Sequence, residues 1–82
     1  MRNTEKNYSQ MLQNLATNVK KARLRKKLRQ VDMIDFGFSE RFIQKVESGS
    51  YSPNLYTVHR LSEALDIEIH EIFKQTVSKS KS

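Results

Sequence analysis

Residues 30–49, QVDMIDFGFSERFIQKVESG, decide the fold of this chain. Gly37 divides the stretch into two short segments, and glycine readily adopts the left-handed backbone conformation that ends a helix sharply. The segment before the glycine predicts a helix from Gln30 to Phe36, with Met33 and Phe36 facing inward. A second short helix should follow after a tight turn.

This second helix is predicted to have two different faces. Ser39 is a favourable N-cap residue, which indicates a helix from Glu40 to Glu47 that ends before Gly49. At 100° per residue, the long polar side chains share one arc: Glu40, Arg41, Gln44 and Lys45. The apolar side chains share the opposite arc: Phe42, Ile43 and Val46. Such a helix is anchored from behind and presents hydrogen-bonding groups at its front.

Three further helices are predicted around this pair. The first runs from about Tyr8 to Lys26, where one narrow apolar stripe recurs at spacings of three and four: Tyr8, Met11, Leu12, Leu15, Val19 and Ala22. Asn54 is a plausible N-cap for a helix over 55–65, whose inner face should be Leu55, Val58, Leu61, Ala64 and Leu65. A last helix should run from about Ile69 to Gln75.

No segment alternates with period two for long enough to indicate a strand, so the chain is predicted to be all-α. We expect a five-helix bundle with a central helix-turn-helix. Residues 1–14 are expected to extend the first helix, residues 15–75 to form the domain, and residues 76–82, which end in SKSKS, to be a disordered tail.

The charge of the chain favours an anionic partner. The 82 residues carry a net charge of +6. Seven of the basic residues fall in one acid-free run: Lys20, Lys21, Arg23, Arg25, Lys26, Lys27 and Arg29. A solvated helix face explains such a run equally well, and a basic run says nothing about sequence recognition. The charge therefore favours nucleic acid as the class of partner, and other features of the sequence must support that choice.

Other classes of function find little support in the sequence. The chain contains no cysteine, and its two histidines, His59 and His70, have no acidic cluster around them, so we expect no metal site and no cofactor. No nucleophile–base pairing or glycine-rich phosphate loop points to an enzyme. The polar start and the absence of long apolar runs predict a soluble, cytoplasmic protein without a membrane span. No small-molecule ligand is expected, because the sequence shows no second domain that could sense one.

The stretch from Leu15 to Phe73 resembles the phage-repressor-like helix-turn-helix family, of the Cro and repressor type. Small stand-alone regulators such as restriction-modification controller proteins are similar in size. The resemblance rests on a combination of positions: Leu28, Gln30, Met33, Gly37, Ser39, Ile43, Val46, Glu47, Gly49, Pro53, Leu61, Ala64, Leu65, Glu71, Ile72 and Phe73. It implies a lambda-repressor-like DNA-binding domain.

The resemblance also implies roles for individual residues. Base contacts would come from Ser39, Glu40, Arg41, Gln44 and Lys45. Phosphate contacts would come from Arg29, Gln30, Ser48, Ser50 and Tyr51. The family's buried acid corresponds to Glu47, which should pair with Arg23 of the first helix. Both residues also fall at the edges of apolar helix faces, which agrees with a structural pair.

The expected function is transcriptional regulation by a homodimer bound to a palindromic operator in double-stranded DNA, in the nucleoid. One recognition helix makes too few base contacts to find one site in a genome. The candidates for the dimer surface are Ile69, Ile72 and Phe73. Tyr8 and Met11 either pack against the last helix or lie across a dimer. An antitoxin or protein-interaction adaptor with the same fold is the alternative.

Overall fold

The computed structural model describes residues 4–75, and these form five helices without any β-strand. Four are α-helices: α1 (Thr4–Arg25), α2 (Glu40–Glu47), α3 (Leu55–Leu65) and α4 (Ile69–Ile72). A 3-10 helix spans Gln30–Phe36, between α1 and α2. The all-α prediction is confirmed for this part of the chain. The tail predicted at 76–82 and residues 1–3 lie outside the described residues.

The helices share one core, to which each of them contributes. Its members are apolar side chains with at most 3 % of their surface exposed: Leu15, Val19, Ala22, Met33, Phe38, Ile43, Val46, Val58, Leu61, Leu65 and Ile72. α1 packs against α2, α3 and α4, so it forms the spine of the bundle. α1 begins at Thr4, one turn before the apolar stripe that starts at Tyr8, and this added turn is polar and exposed.

The turn after the 3-10 helix corrects one predicted core residue. Gly37 adopts φ 90°, and its N–H donates to the carbonyl of Ile34 while the N–H of Phe38 donates to the carbonyl of Met33. This pair of bonds is the Schellman arrangement, which brings the residue after the glycine onto the helix it ends. Phe38 is consequently 3 % exposed, whereas Phe36, predicted to face inward, is 39 % exposed.

Side-chain caps place α2 and α3 where the sequence predicts them. The Ser39 hydroxyl accepts a hydrogen bond from the Phe42 N–H at 3.0 Å, and the Asn54 side chain accepts one from the Thr57 N–H at 2.8 Å. Each cap satisfies a backbone donor that the first helical turn leaves without a partner. The start of α2 is therefore fixed relative to the turn at Gly37.

Two expectations for the last helices are wrong. Leu55, predicted for the inner face of α3, is 72 % exposed, because it lies in the first turn, at the rim of a groove rather than over the core. α4 ends at Ile72 instead of Gln75. The side chain of Asn18 on α1 donates to the carbonyl oxygens of Ile72 at 2.9 Å and Lys74 at 2.7 Å, so α1 holds the chain where the helix stops.

None of the helices within residues 4–75 combines the length and the apolar character needed to cross a membrane.

Candidate nucleic-acid interface

The front of α2 is the most promising surface for recognition. Its four long polar side chains are all exposed: Glu40, Arg41, Gln44 and Lys45. On the opposite side of the helix, Ile43 and Val46 are fully buried, and the half-buried Phe42 packs against the core. The helix is thus held rigidly from behind while its front stays accessible, as predicted from the sequence.

Ser39 differs from its four neighbours because its hydroxyl already has a structural partner. It caps α2 through the bond from the Phe42 N–H. A serine hydroxyl also carries a hydrogen that can be donated elsewhere, so the cap does not use its full capacity. Ser39 is exposed beside Glu40 at the N-terminal end of the front. Its cap fixes where the N-terminal end of α2 begins.

A buried hydrogen-bonded network lies behind the start of the 3-10 helix. Arg23 and Glu47 form a two-pronged ion pair, with Nε to Oε2 at 2.7 Å and Nη2 to Oε1 at 3.0 Å. Their side chains are only 6 % and 5 % exposed. Arg23 also donates to the carbonyl of Leu28 at 2.7 Å, so the pair ties α1, α2 and the intervening turn together. The predicted structural pair is present.

Gln30, predicted to contact a phosphate, joins the same network. Its side-chain amide donates to Glu47 Oε1 at 3.0 Å. An amide NH₂ carries two hydrogens, so one remains for another acceptor. The buried pair therefore fixes the orientation of Gln30 at the start of the 3-10 helix.

Arg29, also predicted as a phosphate contact, has a carboxylate partner that the sequence analysis missed. Its guanidinium donates to Asp32 at 2.9 and 3.1 Å, and its backbone N–H donates to the same carboxylate at 2.7 Å. These hydrogen bonds lower the pKa of Asp32, and the side-chain bond to Asp32 raises the pKa of Arg29. A guanidinium carries five N–H donors, so Arg29 keeps donors for a phosphate while Asp32 offsets part of its positive charge. The spacing of three residues was a readable signal.

Three of the seven cations in the basic run have carboxylate partners in the structure, so the run does not form one uniform positive surface. Arg23 is buried in its pair with Glu47, Lys26 meets Asp66 at 2.9 Å, and Arg29 meets Asp32. Within residues 4–75, the other four cations of the run are exposed and have no ion-pair partner: Lys20, Lys21, Arg25 and Lys27. Lys27 lies in the turn just before the 3-10 helix, with φ 61°.

The loop after α2 brings together the other predicted phosphate contacts. The Ser48 hydroxyl donates to the Lys45 carbonyl at 2.6 Å and accepts from the Ser50 N–H at 3.3 Å. The Ser48 and Ser50 hydroxyl oxygens lie 3.2 Å apart. Tyr51 is half-buried and packs on the core, so the loop is ordered by its own bonds and by this ring.

A row of rings and cations beside α2 was not predicted. Phe38 stacks on Phe42 with centroids 5.7 Å apart, and Phe42 meets Tyr51 edge-on at 5.8 Å. Arg60 covers Phe38 at 4.4 Å, and the Lys45 ammonium lies 5.0 Å from the centre of the Tyr51 ring. We call these three rings the aromatic ladder. The spacing of Phe38 and Phe42 was visible in the sequence, but the approach of Tyr51 depends on the loop.

The structure separates the three candidates for a dimer surface. Ile72 is fully buried in the core, so its assignment to that surface is wrong. It faces the core because α4 packs against α1 and α3. Ile69 is 38 % exposed and Phe73 is half-buried, so these two remain available to a partner.

An apolar groove of about 160 Å³ runs between the start of α1 and the start of α3. Its lining residues include Tyr8, Met11, Leu55 and Phe73. Tyr8 and Met11 therefore line the same groove as Phe73, the residue that follows α4. The hydroxyl groups of Tyr8 and Ser52 form a hydrogen bond across it. Elsewhere, His59 lies 3.5 Å from Glu63, and residues 4–75 contain no cluster suited to a metal ion.

Comparisons with protein-family models, with curated proteins and with solved structures find no match to this chain. The family resemblance therefore rests on the residues of the chain themselves.

Proposed function

We propose that the chain is a sequence-specific DNA-binding transcriptional regulator of the phage-repressor-like helix-turn-helix type. In this proposal the 3-10 helix and α2 are the two helices of the motif, and α2 enters the major groove. The observation that carries it is α2 itself, with Ile43 and Val46 fully buried behind four exposed side chains that suit base recognition. The major groove offers a different donor and acceptor pattern for each base pair.

Each front residue has a chemically matched base. Arg41 and Lys45 can donate to guanine, and Gln44 can bind the adenine edge with both a donor and an acceptor. Glu40 can accept from the cytosine amino group.

Phosphate contacts would fix the register of α2 in the groove. Lys27, the remaining amide hydrogen of Gln30 and the loop over 48–50 lie at the two ends of the proposed motif. Such contacts position a protein on the duplex and carry no sequence information themselves. Because they neutralise phosphates, they make binding depend on salt.

Lys27→Gln is expected to weaken binding to all duplexes alike and to lower the slope of log K against log salt by about 0.9, since one phosphate contact is lost. Fluorescence anisotropy between 50 and 200 mM salt, roughly the range over which such contacts matter, measures the slope. Lys74→Gln is the control. Lys74 follows α4, which packs on α1 and α3 and is not part of the proposed motif. An unchanged slope for Lys27→Gln, or an equal change for Lys74→Gln, would contradict this placement.

We further propose that the protein binds as a homodimer. Two copies related by a two-fold axis would place two α2 helices about 34 Å apart, one turn of DNA. A palindromic operator then matches the symmetry of the protein, and doubling the base contacts multiplies the discrimination. Ile69 and Phe73 are the remaining candidates for the shared surface.

Ile69→Glu is expected to give monomers, because a charge placed in an apolar contact loses its hydration without gaining a partner. Phe73→Glu should do the same. Sedimentation velocity measures the association state. Leu24→Glu on α1, a residue 53 % exposed, is the matched control and should sediment as a dimer. Dimers of both Ile69→Glu and Phe73→Glu would place the interface elsewhere.

A protein-interaction module such as an antitoxin is the second candidate function. The apolar groove beside Tyr8 and Leu55 favours it, since exposed apolar surfaces commonly mark protein contacts. A module that had given up DNA has no need of a polar α2 front, whereas an antitoxin can keep both activities. A neighbouring toxin gene would support the antitoxin form.

A further inference from the structure

Lys45 is held at the end of a continuous row of side chains that begins in the core. Phe38, 3 % exposed, stacks on Phe42 with an angle of 15° between the rings. Phe42 meets the Tyr51 ring at 87°, in an edge-to-face arrangement. The Lys45 ammonium lies over the outer ring at 5.0 Å. The position of Lys45 is thus linked through the aromatic ladder to the core.

The geometry points to Tyr51 as a specificity-determining residue that acts through its ring, by positioning the Lys45 ammonium for a base contact. This inference rests on the proposed DNA-binding function. An ammonium within about 6 Å of an aromatic centroid is attracted by the negative face of the ring. A lysine otherwise samples many rotamers and loses that freedom on binding, so holding it beforehand strengthens the bound state.

The environment of Tyr51 favours the ring over the hydroxyl. Its ring contacts Phe42 and Lys45, whereas the Tyr51 hydroxyl makes no hydrogen bond within residues 4–75. The family resemblance implies a phosphate contact at this residue, and a phosphate contact would use the hydroxyl. The two roles differ in a measurable way, because phenylalanine keeps the ring and removes only the hydroxyl.

The other end of the ladder is closed by Arg60. Its guanidinium lies 4.4 Å from the centroid of Phe38 and donates to the carbonyl of Phe36 at 3.1 Å. Through these two contacts Arg60 holds the turn before α2 in place. The aromatic ladder contacts Lys45, which lies near the end of α2. The two cations occupy opposite ends of one rigid row, and only Lys45 belongs to the exposed front of α2.

The test is a double-mutant cycle on Tyr51 and Lys45. Affinities are measured for a duplex selected from a random library and for a scrambled duplex of the same composition. Tyr51→Leu should lose about two-fold to five-fold on the selected duplex, the size expected for an exposed cation–π contact, and nothing on the scrambled one. Tyr51→Phe should bind both duplexes as the unmodified protein does. In a Lys45→Met background, Tyr51→Leu should cause no further loss.

An independent readout follows Lys45 in the free protein. Ring currents should shift the Lys45 Hε proton signals upfield in the unmodified protein and in Tyr51→Phe, and the shift should vanish in Tyr51→Leu. Thermal melting checks that each variant is folded. Tyr51→Leu is expected to fold, because leucine keeps apolar contact with Phe42.

Each result decides for or against the inference. Loss on the selected duplex that disappears with Lys45→Met supports it. Equal losses with and without Lys45, or a loss caused by Tyr51→Phe, would assign Tyr51 to packing or to phosphate and overturn it. An absent ring-current shift would overturn it as well. If no duplex is preferred by the unmodified protein, the proposed function fails and the inference falls with it, even where the ring-current shift is present.

Discussion

Glu47→Ala is expected to lower the free energy of unfolding by about 3–5 kcal/mol. The substitution leaves the Arg23 guanidinium without its carboxylate at a site where the arginine side chain is only 6 % exposed. A domain of this size has a total stability of roughly 4–12 kcal/mol, so the expected loss is a large fraction of it. Urea denaturation followed by circular dichroism measures the difference.

Two further variants separate charge burial from loss of packing. Glu63→Ala removes an acid that is 69 % exposed and lies 3.5 Å from His59, and it should change stability by less than about 1 kcal/mol. The double variant Arg23→Met/Glu47→Leu replaces both charges by apolar groups and should recover most of the stability lost by Glu47→Ala. A loss below about 1 kcal/mol for Glu47→Ala, or no recovery in the double variant, would contradict this account of the pair.

Arg41→Ala is expected to weaken binding to the preferred duplex by about 1–3 kcal/mol and to relax the preference at one base position. The side chain is exposed on the front of α2, opposite Ile43 and Val46, so its removal should leave the fold and the melting temperature nearly unchanged. The expected loss is confined to sequences that carry the base read by Arg41. Affinities for duplexes varied one position at a time measure this pattern.

Lys27→Gln is the matched control, because it removes one positive charge beside the 3-10 helix rather than on α2. Its effect should be the same for every duplex, whereas that of Arg41→Ala should depend on sequence. If Arg41→Ala weakened all duplexes equally, Arg41 would be a phosphate contact and the assignment of the recognition face would be wrong.

The elements defined by local chemistry were predictable from the sequence. α2 and α3 begin after Ser39 and Asn54 because these side chains cap the first turn, which is a local interaction. The left-handed turn at Gly37 follows from the absence of a Cβ atom. The pair between Arg23 and Glu47 was suggested by the resemblance and by helical periodicity, and both its distances and its burial agree with that prediction.

The expectations that failed depend on contacts distant in sequence or on detailed backbone geometry. Periodicity placed Phe36 in the core, whereas the bonds around Gly37 bring Phe38 there instead. The end of α4 is set by Asn18, which lies on α1 and reaches its carbonyl oxygens only in the folded state. The burial of Ile72 follows from the same packing of α4 on α1.

In the candidate site, too, features set by local sequence were predictable and features set by distant contacts were not. The four exposed residues of the α2 front were readable from an amphipathic pattern, because burial of one helix face dictates exposure of the other. The contact between Lys45 and Tyr51 was not, since it depends on the path of the loop over 48–51. The Asp32 partner of Arg29 was not predicted, because the resemblance assigns a phosphate contact to this position.

Selection of bound duplexes from a random DNA library at about 150 mM salt, close to physiological ionic strength, tests the DNA-reading role of α2 most directly. We expect enrichment of a two-fold-symmetric motif whose half-sites are centred about one helical turn apart. Arg41→Ala should enrich the same motif with one degenerate position in each half. Weak binding without any enriched motif would contradict the account and leave only a basic surface.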